Sequence, residues 1–296
     1  MNSNPSPHSE RLRRPSDLRS LTLGETKVTF IPDGAVKFLP LGWLPASTEE
    51  AWAAHPEYLD ESGQLTGSIG ALLVEHGGRA LLIDAGFGPR ALAAEPGSPI
   101  GALYGGDLLD SLARAGRSPE DIEAVAITHL HGDHVGWLAQ PLPSGGGSPA
   151  FPQAEYLLTE PEWAARHTME AHGVDKDLID AMTPKVRIVA DGQEIFPGVR
   201  VQLVPGHTPG HTAYVITSGE QRMIAFGDAM HSPIQITHPE WSAAPDHDTA
   251  QSTDFRRRLV AELQEPGTIG FGVHFADVVF GHAHQDENGL TWRSAG

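Results

Sequence analysis

Cysteine is absent from the 296-residue sequence. That excludes disulfides, a thiol nucleophile and any zinc site built on thiolate, and it accords with the cytoplasmic setting expected here. Also missing is any run near the roughly 18 uninterrupted apolar residues of a membrane span, so no membrane partner is expected. The N-terminal stretch carries Arg11, Arg13, Arg14 and Arg19 but lacks the apolar segment that a secretory signal needs next. Residues 1–20 are therefore read as a flexible arm ahead of one domain over 21–296. Basic residues are scarce: 20 Lys plus Arg stand against 38 Asp plus Glu, for a formal net charge of −18. Binding a polyanion needs clustered Lys and Arg, so nucleic acid is not expected as a partner and a small molecule is. No repeat of short period is visible. The remaining composition, 40% apolar and 20% charged, is that of an ordinary globular chain able to bury a substantial core.

What is present first takes the form of alternating strands and helices. Residues 27–31 read as a strand closed by Pro32-Asp33-Gly34. A hairpin follows over 68–75 and 79–84, turning at His76-Gly77-Gly78. Helical spacing covers 108–115, and a short apolar strand over 124–128 runs directly into His129. A Gly-, Pro- and Ser-rich loop is expected over 141–149, then a strand over 155–159 and a helix from 160 to about 172. Strands at 186–190, 199–204, 212–217 and 223–226 precede a helix over 249–263, and strands over 278–280 and 290–292 close the chain. Periodicity alone implies a layered α/β protein.

Histidine is the chemical signal. There are 16, several of them grouped in short motifs. The densest is Thr128-His129-Leu130-His131-Gly132-Asp133-His134, with three imidazoles and a carboxylate directly after an apolar strand. Neutral imidazole nitrogen and carboxylate oxygen are the ligands that zinc takes when thiolate is absent. In extended chain His129 and His131 face one way. Asp133 and His134 follow a bend that Gly132 permits, and can aim at a second ion nearby.

This H-x-H-x-D-H segment resembles the signature of the metallo-β-lactamase superfamily, and further motifs follow in that family's order from about Thr66 to the end. They are Leu81-Leu82-Ile83-Asp84-Ala85-Gly86, then Val204-Pro205-Gly206-His207-Thr208-Pro209-Gly210-His211, then Ala225-Phe226-Gly227-Asp228-Ala229. The resemblance implies an αββα sandwich, two mixed sheets flanked by helices, with the metals at one edge. It implies two divalent ions, expected to be zinc. His129, His131 and His207 would hold one, Asp133, His134 and His274 the other, and Asp228 would bridge them. Asp84 is expected to orient a ligand histidine or fix its turn, and His211 to be structural.

From Asp228 onward the chain looks closest to the branch containing methyl parathion hydrolase and lactonase-like enzymes. Gly227-Asp228-Ala229-Met230-His231-Ser232-Pro233, then Pro239-Glu240-Trp241, then an Arg-rich helix all resemble it. There the last ligand lies in an Ala-His-Phe/Leu type of segment with an aromatic-Gly pair beyond it. Val273-His274-Phe275 followed by Phe280-Gly281 fits, so His274 is preferred to the alternative, His282.

The implied activity is that of a dinuclear zinc hydrolase whose metal-bridging hydroxide cleaves a lactone or ester, with Asp133 and His231 as catalytic candidates. Lactonases acting on acyl-homoserine lactones often carry a tyrosine three residues beyond the bridging aspartate, where this chain has His231. The alternatives are a phosphotriester hydrolase of the methyl parathion hydrolase type, a mononuclear iron dioxygenase, or a glyoxalase II-like thioesterase. A homodimer is left open. Phe38, Leu39, Trp43, Leu44 and Trp52 are candidates for an apolar pocket wall as well as for core, and Arg256-Arg257-Arg258 for a solvated helix face.

Overall fold

The computed structural model describes residues 7–141, 149–287 and 289–296. Of the loop expected over 141–149, residues 142–148 lie outside these.

The first sheet holds β1 (Arg19–Leu23), β2 (Thr26–Phe38), β3 (Leu65–His76), β4 (Arg79–Ile83), β5 (Ala91–Leu92), β6 (Ile100–Tyr104), β7 (Ala124–Ala126), β8 (Glu155–Thr159) and β9 (Val186–Val189). Its spatial order is β5-β6-β2-β3-β4-β7-β8-β9, with β1 paired to β2. The second sheet runs in chain order through β10 (Glu194–Phe196), β11 (Val199–Leu203), β12 (Thr212–Ser218), β13 (Gln221–Ala225), β14 (Thr268–Phe271), β15 (Phe280–Asp286) and β16 (Gly289–Ser294). Both sheets are mixed. β4, β7, β8 and β9 are parallel to one another, and β13 and β14 form the parallel pair of the second sheet, joined by the helix Thr249–Glu262.

The strand period of two explains the layers. Along β3 and β4, Leu72, Val74, Leu81 and Ile83 pack between the sheets against Val199, Val201, Tyr214 and Ile216. The alternate residues Ala71, Leu73, Ala80 and Leu82 face outward, where Leu108, Leu112, Leu178, Ile179 and Met182 of two helices cover them. A strand buried on both faces needs a continuous apolar run, which is what 69–74 supplies. On the far side, Phe255, Leu259 and Val260 of Thr249–Glu262 cover Ala213 and Ile224. The result is the expected αββα sandwich.

Several local expectations are corrected. β2 does not stop at Pro32-Asp33-Gly34: pairing passes from Pro32–Gly70 to Gly34–Ile69, so Asp33 is the extra residue of a bulge. The helix expected over 160–172 is Glu160–Ala165 followed by 3-10 turns at Arg166–Thr168 and Glu170–His172. Within residues 1–20, expected as an arm, Leu12 and Ser16 are buried, and β1 from Arg19 pairs along β2. Arg256 is not on a solvated face. It is 1% exposed, whereas Arg257 and Arg258 are exposed, because successive helix residues point about 100° apart. Among the described residues no helix is long and apolar enough to cross a membrane.

Candidate metal centre

The site forms where β4, β7, β11 and β13 end. Asp84, just past β4, holds φ at 63° and aims a buried carboxylate across to the next strand. It accepts the Thr128 N–H at 2.8 Å, the Thr128 hydroxyl at 2.9 Å and His134 Nδ1–H at 2.8 Å. With its own proton given to Asp84, Thr128 Oγ1 accepts His129 Nδ1–H at 2.9 Å. His207 Nδ1–H donates to Asp246 at 2.8 Å, and His274 Nδ1–H donates to the Ser68 carbonyl at 2.8 Å. Each of these four rings therefore keeps an Nε2 lone pair for another partner.

All four Nε2 atoms converge on Asp228. His134 and His274 lie 3.1 and 3.2 Å from Oδ1, and His129 and His207 lie 3.6 and 3.4 Å from Oδ2. Lone pairs facing a carboxylate across such distances repel unless a proton or a metal cation lies among them. The donor atoms of His129, His131, His207 and Asp228 all lie within 4.8 Å of one another, as do those of Asp133, His134 and His274. His129 Nε2, His134 Nε2 and Asp228 Oδ1 are buried without a hydrogen-bond partner. Nitrogen and oxygen donors without sulfur suit zinc or a similar divalent ion, so the residues present fit two such ions.

Electrostatics agree with that reading. Burial, then the neighbouring His134, pushes His129 far below the ordinary imidazole range, and burial with His207 does the same to His131. Burial also opposes charge on His134 and His207. There it is outweighed by carboxylates: Asp228, Asp133 and Asp84 hold His134 well above the ordinary range, and hydrogen bonds to Asp228 and Asp246 bring His207 to about 9. The negative field that attracts protons to these rings would attract a cation in their place.

A match to the family model described as the metallo-beta-lactamase superfamily spans residues 67–282. The chain belongs to the metallo-β-lactamase superfamily. The proteins it resembles include lactonases. It is 26% identical over 223 residues to an N-acyl homoserine lactonase of a Bacillus species, covering 71% of this chain and 78% of that one. It is equally identical over 181 residues to the N-acyl homoserine lactonase of Bacillus cereus, covering 60% of this chain and 62% of the relative. The fold matches AidC, a dizinc quorum-quenching lactonase in complex with the product N-hexanoyl-L-homoserine. The TM-score is 0.79 at 23% identity, over 95% of this chain and 98% of that one.

The other six residues expected as ligands gather with Asp228 in one cluster. His282 does not: it lies on β15 beside His284, away from the cluster. His211 is structural, its Nε2 accepting the Asp228 N–H at 3.0 Å, and burial followed by His207 lowers it to about 3. At Gly132 the constraint is space rather than a bend: a Cβ there would lie 2.9 Å from the Arg90 guanidinium and 3.0 Å from the Gly173 carbonyl, so both neighbours would have to give way slightly. Gly227 does need its freedom, holding φ at 49° so that Asp228 turns inward against His211.

A cavity of about 220 Å³ opens over His131, Asp133, Asp228, His231 and His274. Its apolar wall includes Val36, Phe38, Trp43, Phe87 and Leu103. Phe38 and Trp43 stack at 4.3 Å, and Trp43 meets the His231 ring edge-on at 4.9 Å. Of the segment expected to line a pocket, Phe38 and Trp43 do so. Leu44 and Trp52 are core, and Leu39 is partly exposed. His231 Nε2 lies 3.1 Å from Asp228 Oδ2.

Four contributors escaped the sequence reading. His172 stacks on His131 at 4.3 Å and lines the cavity. Asp246 holds His207 and is itself held by Arg256 at 3.1 Å. Glu162, fully buried, accepts the Leu130 N–H, the Thr208 hydroxyl and the Gly210 N–H at 2.7, 2.7 and 3.0 Å, tying the His129–His131 loop to the His207 loop. Asp33, in the bulge of β2, accepts from Phe87, Gly88, Gly106 and Leu108 N–H groups and from Trp137 Nε1, which fixes the cavity wall at Phe87. The Pro-Asp-Gly read as the strand's end is a pattern that strands also carry at bulges.

Proposed function

We propose that this chain is a dinuclear metal-dependent hydrolase that opens the ester bond of a lactone bearing an apolar arm. The observation that carries the reading is the Asp228 carboxylate, whose two oxygens face two separate groups of histidines beneath an apolar cavity. His129, His131 and His207 would hold one ion, Asp133, His134 and His274 the other, and Asp228 both. When bound, two divalent ions supply Lewis acidity toward a carbonyl oxygen and lower the pKa of water into the neutral range. Zinc suits the donor set, and the names of the lactonase relatives support the substrate class.

The chain's own residues would divide the remaining tasks. Phe38, Trp43 and Phe87 bind the apolar arm and exclude water from the reacting ester. Asp133, with 22% of its side chain exposed, is the most open carboxylate of the cluster. It takes up the proton of the attacking water and returns it to the departing alkoxide. His231 donates Nε2–H to Asp228 Oδ2 and keeps that carboxylate square to both histidine groups, with its ring clamped by Trp43.

The test is a panel of lactones with short and long acyl arms, an aryl ester and an aryl phosphotriester, assayed before and after chelation. The expected outcome is chelator-sensitive lactone opening, with kcat/KM rising with arm length. Turnover confined to the phosphotriester would overturn the substrate class and leave the metal centre standing.

A further inference from the structure

The N-terminal segment is wired to the last ligand of the proposed centre. Asp277, three residues beyond His274, is 1% exposed, and it gathers three guanidinium groups. Arg14 donates to Oδ2 from Nε and Nη2 at 3.0 and 2.8 Å, and Arg19 donates to Oδ1 at 2.6 Å. Arg11 caps the Asp277 carbonyl at 3.0 and 2.6 Å, while the Arg11 carbonyl accepts the Asp277 N–H at 3.1 Å. Ser16 adds a hydroxyl donor to Oδ1 at 3.2 Å.

Between Asp277 and His274 the backbone makes a tight turn, in which Ala276 holds φ at 44° and its N–H returns to the His274 carbonyl at 2.8 Å. Few L residues adopt that conformation unaided, so something outside the turn has to hold it. Ser68 completes the circuit. Its hydroxyl accepts the Ser16 N–H at 2.7 Å and donates to the Ala276 carbonyl at 2.8 Å. Its own carbonyl accepts His274 Nδ1–H, the bond that leaves Nε2 facing Asp228.

We propose that residues 11–19 form a strap that positions His274, through Asp277 and Ser68, and so sets the affinity of the second metal subsite without touching the first. Asp277 and the arginines on it are positioning residues. The inference rests on the reading of His274 as a metal ligand. His129 and His207 are held by Thr128 and Asp246 instead, and His131 stacks on His172 while Glu162 holds the Leu130 N–H beside it; none of these residues bonds to the strap. A loosened strap should therefore act on one ion of two.

The experiment replaces both side chains on the carboxylate in the full-length protein, as Arg14→Gln with Arg19→Gln. Zinc dissociation constants are measured by competition with a chromophoric chelator, and the cobalt-loaded protein is followed by its visible spectrum. His274→Ala serves as the reference for loss of the second ion. We expect one zinc to bind at least about tenfold more weakly, as for other residues that orient metal ligands, and the other to stay within about twofold. The cobalt band that changes should be the one lost in His274→Ala. Ser68→Ala, which keeps the carbonyl under His274 and removes only the hydroxyl link, should shift the same ion in the same direction by less. It also carries the test if the double variant does not fold. Arg14→Lys with Arg19→Lys should retain part of the affinity lost in the glutamine variant. Two zinc constants unchanged, or both weakened in parallel, would overturn the strap and leave the dinuclear reading intact. A wild-type chain that binds fewer than two ions would overturn the dinuclear reading, and the strap with it.

Discussion

Replacing Asp246 with alanine should damage two things that can be measured apart. Its side chain is fully buried between His207 Nδ1 at 2.8 Å and Arg256 Nη1 at 3.1 Å. Arg256 would be left charged in a buried position, and removing one partner of such a pair costs about 3–5 kcal/mol. The low end applies, because Arg256 keeps hydrogen bonds to the Pro239 and Ala229 carbonyls and to the Ser242 and Thr253 hydroxyls. Urea unfolding of the metal-free variant should therefore show a loss of about 3 kcal/mol. Separately, His207 loses the acceptor that fixes its tautomer, which should weaken zinc binding about 10–100-fold in chelator competition. Adding Arg256→Met tells the two effects apart, because an apolar substitute removes the stranded charge. The double variant should recover much of the stability and none of the zinc affinity. A single variant within about 1 kcal/mol of wild type, with zinc affinity within about twofold, would refute the reasoning.

Acid should reach the same residue. Burial works against its charge, but the hydrogen bond to His207 and the charges of His207 and Arg256 outweigh it, bringing Asp246 from 3.8 to about 2. A depressed folded value means stability present above 3.8 and lost as pH falls toward about 2. In metal-free protein the stability gap between wild type and Asp246→Asn should narrow by about 2 kcal/mol over that interval, and a constant gap would contradict the assignment. Glu162→Gln should set an amide N–H₂ against main-chain N–H donors, costing about 1–3 kcal/mol in urea unfolding and lowering kcat with little change in KM. An unchanged kcat would remove Glu162 from the support of the site. Trp43→Ala should raise KM about tenfold for a lactone with a long apolar arm and far less for a short one. Equal changes for both would count against the pocket assignment.

The ligands were legible because they fall in short motifs whose residue types have few other uses together. His129, His131, Asp133 and His134 lie inside one six-residue stretch. The αββα arrangement came from the resemblance, since strand and helix periodicity stops at layered α/β. The residues that hold the ligands were not legible. Asp246 lies 39 positions from His207 and Glu162 lies 32 from Leu130, and a single acid with a distant partner leaves no local pattern. Arg256 was misread for a related reason. A run of three arginines suggests a solvated face, yet consecutive helix positions point in three directions, and here the first turns inward onto Asp246. Arg11, Arg14 and Arg19 looked like part of an unattached arm because Asp277, their acceptor, stands more than 250 positions away.

If Asp228 holds two divalent ions that activate water for hydrolysis, bound metal and turnover must rise and fall together. Elemental analysis of protein purified without added metal, paired with lactone turnover before and after chelation, tests it most directly. About two zinc ions per chain are expected, with turnover lost on chelation and restored by zinc. Asp228→Asn should lose both bound metal and turnover. One iron per chain with no hydrolysis, or full turnover in metal-free protein, would contradict the dinuclear reading.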